Sequence, residues 1–259
     1  MTEEILAADL RLNAVLKNYP SLAIAVSGGI DSLTLAVIAH RLLPEAPLMV
    51  HALSPAVPAE ATARVRGLAV REGWHLREIQ AGEFEDPEYL ANPYNRCYFC
   101  KSNLYRAIRG ITAGQIASGA NLDDLSDYRP GLVAASEHGV VHPFVEAKID
   151  KATIRELARR HHLETYAALP AQPCLASRVE TGVPIRPLDM LFIDRLEGAL
   201  RRILGDLSTI RVRVRLNGVF VELGEIPGSD TNASVCEKAR AICAEAGYHF
   251  MGVTGYRHC

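Results

Sequence analysis

The stretch that most restricts what this chain can fold into is SLAIAV (21–26), followed at once by SGGIDS (27–32) and then by the helical pattern LTLAVIAHRLL (33–43). A short, continuous apolar run suits a strand buried on both faces of a parallel sheet. Strand, glycine loop and helix together open a βαβ unit. The adjacent glycines Gly28 and Gly29 let the backbone approach a ligand closely. The helix that follows offers unpaired N–H groups and the positive end of its dipole to an anion. Ser27 and Ser32 add hydroxyl donors. Asp31 is the odd member, because a carboxylate repels phosphate unless a magnesium ion lies between them. The six residues suggest a pyrophosphate cradle with a metal-binding acid; the plainer alternative is a tight turn that only starts a helix.

The alternation continues downstream. Residues 48–53 and 74–79 read as strands around a helix over 58–72, and 115–118 reads as a further strand after a helix near 101–110. Asp150 can cap a helix over 150–162. Strands alternating with helices predict an α/β fold built on a doubly wound, mostly parallel sheet. The segment 169–189 carries four prolines and breaks the pattern. Beyond it come a helix (189–204), two strands (209–215 and 219–224) joined at Asn217-Gly218, a helix (230–246) and a terminal strand (248–253). The expected division is a nucleotide-binding domain over 1–170 and a smaller α+β domain over 171–259.

Half of the 259 residues are apolar (49%), ample for a sizeable core, and 28 Lys+Arg against 30 Asp+Glu leave a net charge of -2. That balance argues against a protein that wraps nucleic acid. No apolar run reaches the roughly 18–20 residues of a membrane helix, and the acidic, amphipathic first twenty residues do not read as a signal peptide. The expectation is a cytoplasmic enzyme.

Six cysteines are too few for a secreted disulfide scaffold. Cys97 and Cys100 form a C-x-x-C in NRCYFCK (95–101), which by itself could bind zinc, hold a redox disulfide or be accidental. Cys174 stands alone in CLASR (174–178). Three thiolates suit a 4Fe-4S cluster with one iron lacking a protein ligand. Arg178 could hold a substrate phosphate or lower the thiol pKa of Cys174, or it could form a structural salt bridge. Cys236 and Cys243, seven apart on one helix, read as core packing. Arg211, Arg213 and Arg215 alternate along one strand and so share a face, which is costly unless anions sit there; the plainer alternative is a solvated basic face on an exposed strand. Asp123, Asp124, Asp127 and Arg129 could shape a site or simply cap their loop.

SGGIDS after the first strand resembles the PP-loop of the ATP pyrophosphatases, and it lacks the G-K-[ST] ending of a Walker loop. NRCYFCK, GANLDDLSDYRPG (119–131) and CLASR, in that order behind it, are similar to the LarE branch of that superfamily. The resemblance spans about residues 20–225 and implies ATP and Mg2+ as cofactors, with Ser27, Gly28, Gly29, Asp31, Ser32 and Lys148 at the nucleotide. It implies sulfur insertion during nickel-pincer nucleotide cofactor biosynthesis. A carboxylate of pyridinium-3,5-biscarboxylic acid mononucleotide would be adenylated, and sulfur would then displace AMP. With Cys97 and Cys100 beside Cys174, the chain looks like the cluster-dependent kind, in which a 4Fe-4S centre carries transferable sulfide; the single-cysteine kind sacrifices its own sulfur. Arg211, Arg213, Glu222, Asp230 and Arg257 match substrate-binding positions, and family members resemble homo-oligomers. Sulfide or a cysteine desulfurase would reload the site. VETG (179–182) departs from the family's proline-tyrosine-glycine turn, which bears on the sulfur acceptor. Competing readings are a tRNA thiolase of the PP-loop class, an ammonia-using amide ligase, and an ATP-binding sensor of cluster status.

Overall fold

The computed structural model describes residues 3–126, 129–170, 172–205 and 209–256, so that Asp127, Arg257, His258 and Cys259 lie outside the described residues. The chain divides into two compact units. One comprises Met1–Tyr89 and Asn95–Leu169, the other Leu90–Tyr94 and Pro170–Cys259.

The first unit is built on four parallel strands, β1 (Leu22–Ala25), β2 (Leu48–Ala52), β3 (His75–Ile79) and β4 (Gln115–Ala117), in the order β3-β2-β1-β4. Helices α1 (Glu3–Leu16), α2 (Ile30–Leu42), α3 (Ala59–Glu72), α4 (Pro87–Leu90), α5 (Arg96–Arg109), α6 (Pro130–Glu137), α7 (Pro143–Glu146), α8 (Lys151–Arg160) and α9 (Glu164–Ala167) surround or connect them. Period-two alternation in β1 explains why the sheet is covered on both faces. Leu22 and Ile24 join Leu12, Leu33, Val37, Ile154 and Leu157 in one core, while Ala23 joins Tyr105, Ile108 and Ala135 in another. The strand order reverses between β1 and β4. In such sheets ligands bind beyond the carboxyl ends of the strands at that reversal, and both the 27–32 loop and the turn after β4 lie there.

Two local differences from the sequence reading have clear causes. Helix α5 begins at Arg96 with Asn95 as its cap residue, so both cysteines of the C-x-x-C lie inside the helix and not in a loop before it. Residues 119–131 read as one polar loop, yet Pro130 starts α6. A proline in the first helical turn gives up an N–H that had no helical partner there.

The second unit is α+β. Strands β5 (Ile210–Arg215) and β6 (Gly218–Leu223) pair antiparallel, and β7 (Phe250–Gly255) joins β6 in parallel after α11 (Ser229–Glu245). Helix α10 (Pro187–Leu204) packs on β5 and α11. The short segment Leu90–Tyr94, which the sequence places with the first domain, belongs here. Asn92 is fully buried, and its Nδ2 donates to the carbonyls of Glu180 (2.9 Å) and Val183 (2.8 Å). No described helix is long and apolar enough to cross a membrane.

Candidate active site

The 27–32 loop is pinned from within and from outside. Ser32 Oγ accepts from the Ser27 N–H at 3.1 Å and donates to the Gly29 carbonyl at 3.1 Å, and the Ser27 and Ser32 hydroxyls lie 3.1 Å apart. The serine hydroxyls therefore brace the loop from within. Gly28 has φ +80, and a Cβ there would lie 2.6 Å from the Ala61 carbonyl oxygen of α3. Gly119, just after β4, approaches as closely from the other side, since a Cβ on it would stand 2.7 Å from the Ser32 nitrogen. These two glycines leave a backbone cradle around the first turn of α2, where amide N–H groups have no helical acceptor. Such a cradle fits the phosphates of a nucleotide.

Asp31 lies in that first turn, and its partner is Lys151, the first residue of α8. Lys151 Nζ stands 2.6 Å from Oδ1 and 2.5 Å from Oδ2. Burial pushes the Asp31 carboxyl above the ordinary aspartate range; Lys151 pulls it down and Asp124 adds to the rise. Lys148, expected near the nucleotide, is exposed with φ +55. Lys151, three residues on, is the lysine the fold delivers, because Asp150 caps α8 by accepting from the Thr153 N–H at 2.8 Å. The Asp150 cap was legible in the sequence; the reach of Lys151 across to α2 was not. The loop after β4 is ordered by a capping box of Asn121 and Asp124, and Asp124 also pairs with Arg129 at 2.5 Å. Asp123 accepts from the Lys151 N–H at 3.2 Å.

The five described cysteines, Cys97, Cys100, Cys174, Cys236 and Cys243, form no disulfide. Cys97 is exposed and Cys100 half-buried, one turn apart on α5. Cys174 is half-buried at the start of the short turn Leu175–Arg178, and its carbonyl accepts from Ser177 N (3.0 Å), Ser177 Oγ (2.8 Å) and Arg178 Nη1 (3.3 Å). Thiolates are the usual cluster donors, so the chemistry of the set fits a 4Fe-4S group. Cys97 and Cys100 belong to the first unit and Cys174 to the second. Among the described residues no three His, Cys, Asp or Glu side chains are gathered as a metal-binding group. Burial raises the Cys243 thiol pKa to about 11, in keeping with core packing.

Arg178, which also lines a cleft in the second unit, forms the structural salt bridge that is the alternative to a phosphate or thiol partner. Its side chain is buried, with Nε 2.9 Å and Nη2 3.2 Å from the two carboxylate oxygens of Glu197 on α10. Its Nη1 donates to the Pro173 carbonyl at 2.7 Å. The guanidinium thus holds the backbone around Cys174 in place, as a positioning residue, and is already neutralised by Glu197.

A cleft of about 820 Å³ opens in the second unit, lined among others by Ser177, Thr181, Arg213, Arg215, Glu222 and Tyr256. The anion the arginine strand requires is internal. Glu222 accepts from Arg213 Nε at 2.8 Å and from Arg215 Nη2 at 3.1 Å. Arg213 also donates to the Ser177 carbonyl at 2.8 Å, tying the turn that follows Cys174 to the wall of the cleft. Arg211 is buried with its guanidinium over the Tyr256 ring, 5.7 Å from the centroid, and burial lowers its pKa. It supports the cleft without lining it. Asp230 is exposed in the first turn of α11 and is not among the lining residues. Of the five expected substrate contacts, Arg213 and Glu222 face the cleft.

No family model matches the chain. It is 28% identical over 219 residues to pyridinium-3,5-bisthiocarboxylic acid mononucleotide synthase of Lactiplantibacillus plantarum, covering 83% of this chain and 78% of that protein. It is 28% identical over 234 residues to the uncharacterized protein MJ0830 of Methanocaldococcus jannaschii, covering 89% and 86%. With the uncharacterized protein slr1717 of Synechocystis sp. it shares 36% identity over 204 residues, 77% of this chain and 75% of that one. At that identity and coverage, the chain belongs to the same family as the Synechocystis protein, and its similarity extends to a synthase of a bisthiocarboxylic acid mononucleotide.

Proposed function

We propose that this protein is an ATP-dependent sulfur transferase of the LarE type, acting in nickel-pincer cofactor biosynthesis on pyridinium-3,5-biscarboxylic acid mononucleotide. The observation that carries the reading is the cradle formed by Gly28, Gly119 and the first turn of α2, in a chain similar over 219 residues to a synthase named for a bisthiocarboxylic acid product. The amides of α2 would hold the β and γ phosphates, and Ser27 and Ser32 would join them by turning their hydroxyls away from the bonds that brace the loop. A magnesium ion would be held at Asp31, where it and the Lys151 ammonium compete for the same two carboxylate oxygens, and it would shield the phosphate charge. The substrate carboxylate attacks the α phosphorus, the α–β anhydride bond breaks, and pyrophosphate leaves with the electron pair. A carboxylate is a poor electrophile, and AMP converts it into a good one. A sulfide equivalent then adds to the acyl carbon and AMP departs with one of the original carboxylate oxygens, leaving a thiocarboxylate.

Cys174 is the sulfur-handling residue in this reading. Cys97, Cys100 and Cys174 together would hold a 4Fe-4S cluster, whose chemistry would be to carry transferable sulfide. The positions of Arg213 and Glu222 in the cleft suit the phosphate and charged ring of a mononucleotide. Sulfide or a cysteine desulfurase would supply the sulfur, and the working form would be a homo-oligomer.

The test is an anaerobic assay with ATP, Mg2+ and the biscarboxylic acid mononucleotide. The expected result is one AMP and one pyrophosphate per oxygen-to-sulfur exchange, read by mass spectrometry. Cys174→Ala should retain pyrophosphate release and yield no thiocarboxylate. Wild type should carry about four irons per chain, lost in each of Cys97→Ala, Cys100→Ala and Cys174→Ala. Pyrophosphate release without sulfur in the product overturns the transferase reading, and no pyrophosphate release overturns the ATP chemistry.

Asp31 gives this site a pH dependence. Metal and lysine both need the ionised carboxylate, and the raised pKa means that it protonates at a higher pH than an exposed aspartate. Magnesium-dependent ATP binding should therefore weaken as pH falls through the mildly acidic range. Asp31→Asn should bind weakly, and its binding should lose this dependence. Calorimetric titration across that range measures both.

A further inference from the structure

Helix α3 supports the 27–32 loop from outside, and three of its residues do so by different means. Ala61 fills the space a side chain at Gly28 would need. Thr62 is tied to the end of β1 through His51, which is 1% exposed. His51 Nδ1 lies 2.8 Å from the Val26 carbonyl and Nε2 lies 3.0 Å from Thr62 Oγ1. A carbonyl can only accept, so Nδ1 carries the proton and Nε2 accepts from the threonine hydroxyl. Burial lowers the pKa of the ring, which keeps it in this neutral form. The third residue is Arg64, one turn past Ala61 on the same side, whose Nε donates to the Gly28 carbonyl at 3.1 Å.

We propose that Arg64 is a phosphate-binding residue of this site and contacts the pyrophosphate part of ATP; the inference rests on the nucleotide reading of the 27–32 loop. A carbonyl beside a phosphate is repulsive. Pairing the Gly28 carbonyl with a guanidinium cancels that repulsion and brings a full positive charge to the loop. A guanidinium has five N–H donors in a rigid fork, so one can serve a carbonyl while others serve phosphate oxygens. Helix α3 is locked against the loop by the Thr62–His51–Val26 link and by Ala61, so the arginine is presented from a fixed base. Arg66, two residues further on, is exposed and bound to Glu78 at 2.6 and 3.0 Å, and serves as a control of like charge on the same helix.

Calorimetric titration with inorganic pyrophosphate and Mg2+, with ATP and Mg2+, and with AMP tests the assignment in full-length wild type, Arg64→Gln, Arg64→Lys and the control Arg66→Gln. Arg64→Gln should lose about ten- to a hundredfold in affinity for pyrophosphate and ATP, the usual weight of a charge-assisted hydrogen bond, with AMP unchanged. Arg64→Lys should recover part of the loss, and Arg66→Gln should match wild type. Equal losses for AMP and pyrophosphate would mean that Arg64 only braces the loop, and unchanged pyrophosphate affinity in a folded Arg64→Gln would remove the assignment outright. Wild type that binds neither ATP nor pyrophosphate would defeat the nucleotide reading itself, and this inference with it.

Discussion

Replacing Glu197 by alanine should cost the protein about 3–5 kcal/mol, the usual penalty for leaving one member of a buried ion pair without its partner. Glu197 and Arg178 have side chains only 1% exposed. Both carboxylate oxygens are fully engaged. One accepts from Arg178 Nε and the Val212 N–H at 2.9 and 3.0 Å, and the other from Arg178 Nη2 and Arg201 Nη2 at 3.2 and 3.3 Å. Removing the carboxylate strands a guanidinium in the core of the second unit and frees the N–H of β5 that Glu197 caps. Urea denaturation, with the transition followed by circular dichroism, measures the loss; a change below about 1 kcal/mol, the weight of a surface pair, would contradict the buried geometry. Apolar replacement of both partners, Arg178→Met with Glu197→Leu, should recover much of the stability, because the buried guanidinium and its carboxylate are removed together. It should not recover sulfur transfer. Arg178 Nη1 holds the Pro173 and Cys174 carbonyls, so the Cys174 turn loses its anchor even when the unit folds.

That contrast shows where the sequence was legible and where it was not. The parallel sheet was readable because SLAIAV, the glycine loop and the helix after it form a local signal within about twenty residues. The hairpin at Asn217-Gly218 was readable for the same reason, and Gly218, at φ +137 with the His249 carbonyl against it, is the residue that turn requires. Partners distant in sequence were not readable. Arg178 stands four residues from Cys174, which makes it look like a companion of the thiol, but its carboxylate lies nineteen positions further on. The three arginines of β5 share a face that calls for an anion or for solvent, and strand pairing supplies the anion as Glu222 of β6, against Arg213 and Arg215. The resemblance points to Lys148 just before α8, and local sequence does not tell which lysine of a helix start reaches another helix; Lys151 is the one bonded to Asp31. Asn92 gave no signal at all; its importance lies in two carbonyls nearly ninety residues away.

Gly28→Ala should abolish pyrophosphate release, while Gly29→Ala should leave most of it, although the two glycines look equivalent in the sequence. Gly28 has φ +80, a region that costs an alanine about 1–2 kcal/mol before any contact is counted. The new Cβ would also stand 2.6, 2.9 and 3.0 Å from Ala61 O, Cβ and C. These atoms belong to the base of α3, which is held by the Thr62–His51–Val26 link, so the loop has to move and the cradle distorts. Gly29 has φ -85 and ψ 157, ordinary extended backbone, and the nearest atom to its Cβ position is Ser27 Oγ at 3.5 Å. The third glycine in the comparison is Gly119. A methyl there meets Ser32 N at 2.7 Å and Asp31 C at 3.0 Å, pressing on the turn of α2 that carries the amide donors. Gly119→Ala should therefore resemble Gly28→Ala in activity, from the opposite side of the loop. Measured side by side for magnesium-ATP affinity and pyrophosphate release, the order expected is wild type, then Gly29→Ala close behind, with Gly28→Ala and Gly119→Ala both inactive. If Gly29→Ala were as damaging as Gly28→Ala, the loop would depend on flexibility at both positions, and the close backbone approach from α3 and β4 would no longer explain why glycine is required.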